Sequence, residues 1–382
     1  MSITQLSALA LAQKLHTGEM TIAQALDACY AAIEANSQAN FAALCKEYAY
    51  ARAGEIQARI DAGDIRSPLA GVPVAVDDLI CTKGIATEAG SKALEGFIPP
   101  YDAAVIERIN AADMVLLGKT RVSEFGMTSD VDGAAAAVAA GEAPLALGSD
   151  TGGALRQSAA RCGVTALRPT YGAVSRLGLV AYASSMDQLG PIARDAADCA
   201  ALFDIIRGKD ERDSMSVETH GCASQAGKIN IGQLPPIDYA LPAYEILACA
   251  EASSNLARID GIKYGHASEK AQNLRDTYVL SRSEGFGPEA KRRVMLGNLV
   301  LSAGQYELYY QKAMRARRLI QQILLTALET CNALSAPADD ESALVMASLA
   351  GLPAIVLPDG TQLIGRAFEE EILLGAATDY KL

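Results

Sequence analysis

Short, fully apolar runs separated by stretches of helical period organise this chain from about residue 70 onward. GVPVAV (71–76), MVLLG (114–118), PLALG (144–148) and VTALR (164–168) have the length and continuity of strands buried on both faces. Between them, residues 103–111, 133–140 and 154–161 repeat their apolar positions at helical spacing. This alternation predicts an α/β fold with a mixed, mostly parallel sheet flanked by helices on both faces. Residues 1–65 read as helical: Thr21 and Gln24 form a capping box, and Ile22, Leu26, Cys29 and Ile33 then follow on one face. A further amphipathic helix is predicted over 194–207, with Leu202, Ile205 and Ile206 together.

The pattern breaks between 209 and 240, where a polar run leads to a strand-like KINIGQL and then Pro235 and Pro236. Residues 241–330 return to helical periodicity, with a long continuous stretch over 305–330. IVLP (355–358) and TQLIG (361–365) then read as strands before a final helix near 367–378. The expected organisation is one domain over 1–382. It comprises a helical part (1–65), an α/β core (66–208), an irregular region (209–240), a second helical part (241–330) and closing strands with a helix (331–382). The alanines at 134–137 suit a helix and carry no further signal.

Composition narrows the function classes. No apolar run reaches the roughly 20 residues of a membrane span, and MSITQLSALALAQKL has no basic leader before its apolar stretch, so a cytoplasmic protein is expected. The eight cysteines are scattered singly without a CxxC pair, and His16, His220 and His266 are far apart. Neither a zinc site nor a disulfide framework is supported, and no metal or cofactor is expected. A net charge of −12 argues against a self-sufficient nucleic-acid surface. A partner would have to supply one.

Several long runs resemble the amidase-signature family: 67–127, 137–195, 239–265, 282–313 and LAGLPAIVLP (349–358). The pattern is most similar to the A subunits of tRNA-dependent amidotransferases. The resemblance implies the amidase-signature fold, shortened here between Met127 and Gly133, between KINIGQL and Asp238, and over 336–342. It also implies a Ser–Ser–Lys triad, in which a lysine works through one serine to activate a second as nucleophile. This sequence departs at all three positions: Asp77 follows the GVPVAV strand, Asp130 falls where the bridging serine is implied, and Ala154 occupies the nucleophile position in Asp150-Thr151-Gly152-Gly153-Ala154-Leu155-Arg156. Ser158, one helical turn on, is about 5–6 Å from the required place and reads as an ordinary helix serine.

Other positions of the implied site persist. Thr151, Gly152 and Gly153 retain a turn whose following helix N-terminus suits an anion. The resemblance implies that Tyr244, Arg293 and Glu341 grip glutamine. From the missing hydroxyl and lysine, the expectation is a protein that is not an enzyme. It would be an inactive homologue acting in binding, assembly or regulation, with other amidotransferase subunits, an active paralogue or its own copies. Two alternatives stand beside it: a repurposed or cation-binding site built from Asp77, Asp130 and Asp150, and an A subunit such as homology would name it.

Overall fold

A computed structural model describes residues 3–131, 133–219 and 229–379. Its centre is one ten-stranded sheet. The strands are β1 (Phe41–Leu44), β2 (Pro73–Asp77), β3 (Val115–Thr120), β4 (Leu145–Asp150), β5 (Thr165–Arg168), β6 (Gln188–Ala193), β7 (Ile231–Gln233), β8 (Ala333–Pro337), β9 (Ala354–Val356) and β10 (Thr361–Gly365). They lie in the order β1-β3-β2-β4-β6-β5-β9-β10-β8-β7.

The four apolar runs all became strands, each buried along most or all of its length. The sheet is mixed, as the alternation implies, but parallel pairing is confined to β2 with β3 and β4 and to β7 with β8. The remaining pairings are antiparallel, so the expected predominance of parallel strands is not met. The cause is β6. After β5 the chain makes a long excursion and returns between β4 and β5, antiparallel to both. Its sequence, QLGPIA, hides it, because Gly190 and Pro191 are poor strand signals. Gly190 is required there, since a Cβ would collide with the carbonyl of Leu167.

The helices follow the periodicity closely. Thr21 caps Ile22–Ala35 with the anticipated capping box, and helices span Ala104–Ala111, Gly133–Ala139, Ala154–Cys162 and Ala196–Ile206. The N-terminal part is not wholly helical, because Phe41–Leu44 forms the edge strand β1 against β3. The second helical part holds Ala240–Asn255, Leu274–Gly285, Pro288–Leu301 and Gln311–Leu328. His220 and Cys222, and the middle of the 209–240 region, lie outside the described residues. The other seven cysteines are free thiols. Among the described residues, no helix is long and apolar enough to cross a membrane.

Two hydrophobic clusters hold these parts. One packs the N-terminal helices and those at 104–111, 133–139 and 196–206 against β2 to β6. The other joins the helices at 240–255, 311–328 and 341–350 to residues of β8, β9 and β10.

Candidate functional site

The strands β2, β3 and β4 run parallel and end together, so Asp77, Thr120 and Asp150 arrive at one edge of the sheet. The carboxyl ends of parallel strands are where open α/β sheets place their ligand crevices. Beyond β4 the chain turns through Thr151-Gly152-Gly153 into the helix Ala154–Cys162. Gly153 has φ +112°, and a Cβ there would sit 2.6 Å from the Leu344 Cβ; a Cβ on Gly152 would overlap the Tyr244 hydroxyl. The turn needs glycine for conformation and for close approach.

Asp150 holds this turn and does little else. Its carboxylate is fully buried and accepts from Arg168 Nη1 at 2.8 Å, Arg156 Nε at 2.9 Å and the Gly153 N–H at 3.1 Å. Burial alone would raise its pKa, but the two guanidiniums outweigh burial and hold it at about 2. Arg156 extends the network to the Leu344 carbonyl, Ser348 and Gln362. Asp187, also buried, accepts from Thr151 Oγ1 at 2.7 Å and from the N–H groups of Tyr182 and Ala183.

Asp77 has a different setting. Its Oδ1 accepts from Thr120 Oγ1 and its Oδ2 from the Ser149 N–H, both at 2.9 Å. No guanidinium pairs with it, so burial raises its pKa to about 6. Asp130 is exposed and accepts from the Thr128 hydroxyl. It lines neither the cavity beside Asp77 nor the cleft over the glycine turn, so the anticipated Asp77–Asp130 pair in one pocket does not form. Left-handed backbone at Phe125 and Gly126, with Ser123 Oγ tied to Thr128, turns the chain so that Thr128 and Ser129 reach the cleft instead. With Asp150 neutralised and Asp130 displaced, the three aspartates do not make a cation site. Among the described residues no group of three or more His, Cys, Asp or Glu is placed to hold a metal.

The other implied residues do converge. Gly152, Gly153, Ala154, Tyr244, Arg293 and Glu341 line one open cleft, together with Ser129, Gln157 and Glu245. Thr151 lies beneath it, bonded to Asp187. Tyr244 and Arg293 come from the helices 240–255 and 288–301, which touch closely at Gly297, where a Cβ would strike the Cys249 carbonyl and lie 2.7 Å from Ser253 Cβ. Arg293 is largely buried; its Nε donates to Glu289 at 2.6 Å and its Nη1 to the Tyr182 hydroxyl. Burial keeps the Tyr244 phenol neutral, with its pKa raised to about 12. Glu341 is exposed at the first turn of a helix capped by Asp340. The cleft therefore presents the Arg293 guanidinium, already paired with Glu289, together with the exposed carboxylates of Glu341 and Glu245. The N–H groups of Gly152 and Ala154, at the head of a helix, have no backbone acceptor among the described residues.

Nothing in the sequence singles out Tyr182, Asp187, Ser129, Gln157 or Glu245. Tyr182 and Asp187 sit inside the matched run at 137–195, but no spacing marks them.

The amidase family model matches residues 24–132, 131–233 and 224–350. The chain belongs to the amidase family. Relatives of this amidase-family chain include the glutamyl-tRNA(Gln) amidotransferase A subunit of Agathobacter rectalis, 38% identical over 100% of the chain and 94% of that protein. The corresponding A subunit of Desulforamulus reducens is 39% identical, over 99% and 97%. The first alignment runs to 474 positions against the 382 residues here, so relatives carry segments that this chain lacks. The peptide amidase of Stenotrophomonas maltophilia superposes with a TM-score of 0.81 at 25% identity, covering 98% of this chain and 96% of that one.

These relatives correct one expectation. The missing hydroxyl and lysine imply a chain that is not an enzyme, yet proteins 36–39% identical over its full length are named as amidotransferase subunits. Asp77 and Ala154 are differences in the chemical equipment of one family member. They bear on which groups act in the cleft, and they do not set the chain apart from the family's enzymes.

Proposed function

We propose that this chain is an A-type amidotransferase subunit whose cleft holds an amide-bearing amino acid, glutamine. The observation that carries this reading is the convergence of Arg293, Tyr244, Glu341 and the Gly152–Ala154 turn on a single cleft. A buried guanidinium is the natural partner of an α-carboxylate, which it can grip through the Nη N–H groups that Glu289 and Tyr182 leave over. Carboxylates at the rim, Glu341 with Glu245 beside it, suit the α-ammonium group. The carboxamide then extends toward the turn, where free N–H groups at a helix N-terminus favour an oxygen that gains negative charge. The relatives' names as A subunits support action beside further subunits, and the net charge of −12 is consistent with leaving RNA contacts to them.

Isothermal titration of the full chain with L-glutamine is expected to show one saturable site. Arg293→Met should weaken it about 30-fold or more, because a charge-assisted pair contributes roughly 2 kcal/mol. Arg293→Lys should lose nearly as much, since an ammonium cannot present the paired N–H groups. Unchanged affinity in a folded Arg293→Met variant would contradict the reading.

A further inference from the structure

Behind Ala154 lies a second, smaller cavity lined by Asp77, Ser149 and Ser158. It has about 40 Å³ of free space, room for water and too little for an amino acid. Gly126, Thr128 and Ala154 line both this cavity and the larger cleft, so the two adjoin across them. The hydroxyls of Ser149 and Ser158 have no hydrogen-bond partner among the described residues. Each Asp77 oxygen accepts one protein hydrogen bond, leaving lone pairs for a further donor. Two unpartnered hydroxyls and a buried carboxylate around a space of this size suit a single water molecule. The alanine at 154 carries no lone pair, and its small side chain separates this space from the cleft.

We propose that Asp77 is the general base of this chain, activating a water for direct attack on the carboxamide held in the adjoining cleft. The proposal rests on the glutamine reading above. Asp77 takes a proton from the water as the water oxygen bonds to the carboxamide carbon, and the carbonyl π pair moves onto oxygen. The N–H groups of Gly152 and Ala154 stabilise that oxyanion. Collapse breaks the C–N bond, and the proton on Asp77 passes to the departing nitrogen. One water and one carboxamide become a carboxylic acid and ammonia, and Asp77 is restored. A carboxylate that desolvation leaves ionised only above about pH 6 suits this task near neutrality. The charged groups around it are Asp78, which opposes its ionisation, Lys119 on β3, which favours it, and Arg121 on the cavity wall.

The test is ammonia and glutamate release from L-glutamine by the full chain, with affinity measured separately by calorimetry. Asp77→Asn should lower kcat about 100-fold or more and leave glutamine affinity within about twofold. The wild-type rate should fall about tenfold per pH unit below about 6, and that limb should vanish from the residual rate of the variant. Added hydroxylamine should yield no hydroxamate beyond background, because water attack forms no acyl-enzyme. An Asp77→Asn variant at the wild-type rate, or hydroxamate formation, would overturn the proposal. So would wild-type protein that binds glutamine and releases no ammonia, although the binding reading would then stand. Failure to bind glutamine at all removes both.

Discussion

Replacing Asp150 by asparagine is expected to destabilise the protein by about 3–5 kcal/mol, the scale of breaking a buried ion pair from one side. The cost arises from what remains. Arg156 and Arg168 are both fully buried and both bond to this carboxylate. Without it, two guanidiniums face each other in the core, with Asp187 as the nearby acid and already engaged by three donors. The pH dependence has a definite sign. The folded pKa, about 2, lies below the ordinary aspartate value of 3.8, so the stabilisation is complete above about pH 4 and is lost as pH falls through about 2. Chemical unfolding of wild type and Asp150→Asn at pH 7 and pH 3 should show the difference shrinking in acid. The double variant Asp150→Asn, Arg156→Met should recover part of the loss at pH 7, because it also removes one uncompensated cation.

Gly153→Ala is the second large effect, with an expected cost of about 2–4 kcal/mol from two sources. The backbone at φ +112° lies where side chains with a Cβ are strained, and the new methyl would meet Leu344 Cβ at 2.6 Å. Leu344 belongs to a well-packed helix, 341–350, whose Leu344 carbonyl also accepts from Arg156. Relief by shifting that helix would therefore disturb the Asp150 network and move Glu341 at its first turn. Thermal unfolding checks the stability loss, and calorimetry should show weakened glutamine binding in whatever folded protein remains. A variant with wild-type stability would mean that the turn is looser than its contacts imply.

Much of this was legible from the chain because apolar runs and capping residues speak locally. The strands β2 to β5 and β10 announce themselves by continuity of burial, and Thr21 with Gln24 marks a helix start without reference to anything distant. What escaped depends on partners far away. The strand β6 exists because Gly190 permits close approach to the Leu167 carbonyl, not because its own residues favour a strand. Phe41–Leu44 and Ala333–Pro337 are short and alanine-rich, and they pair only because β3 and β10 offer edges. At the site, Tyr244, Arg293 and Glu341, the residues that the resemblance implies, line one cleft. The resemblance could not show that Asp150 is consumed by two arginines, or that the turn after Phe125 carries Asp130 out to solvent. Those outcomes are set by side-chain pairing across six and 18 residues and by two left-handed backbone positions.

The most direct measurement is a crystal structure of the full chain with L-glutamine bound. The account predicts the α-carboxylate on Arg293, the α-ammonium near Glu341 or Glu245, and the carboxamide beside the Gly152–Ala154 turn, within reach of a water held by Asp77. Glutamine bound elsewhere, or with its carboxamide on Arg293 and its α-carboxylate toward Ala154, would contradict it.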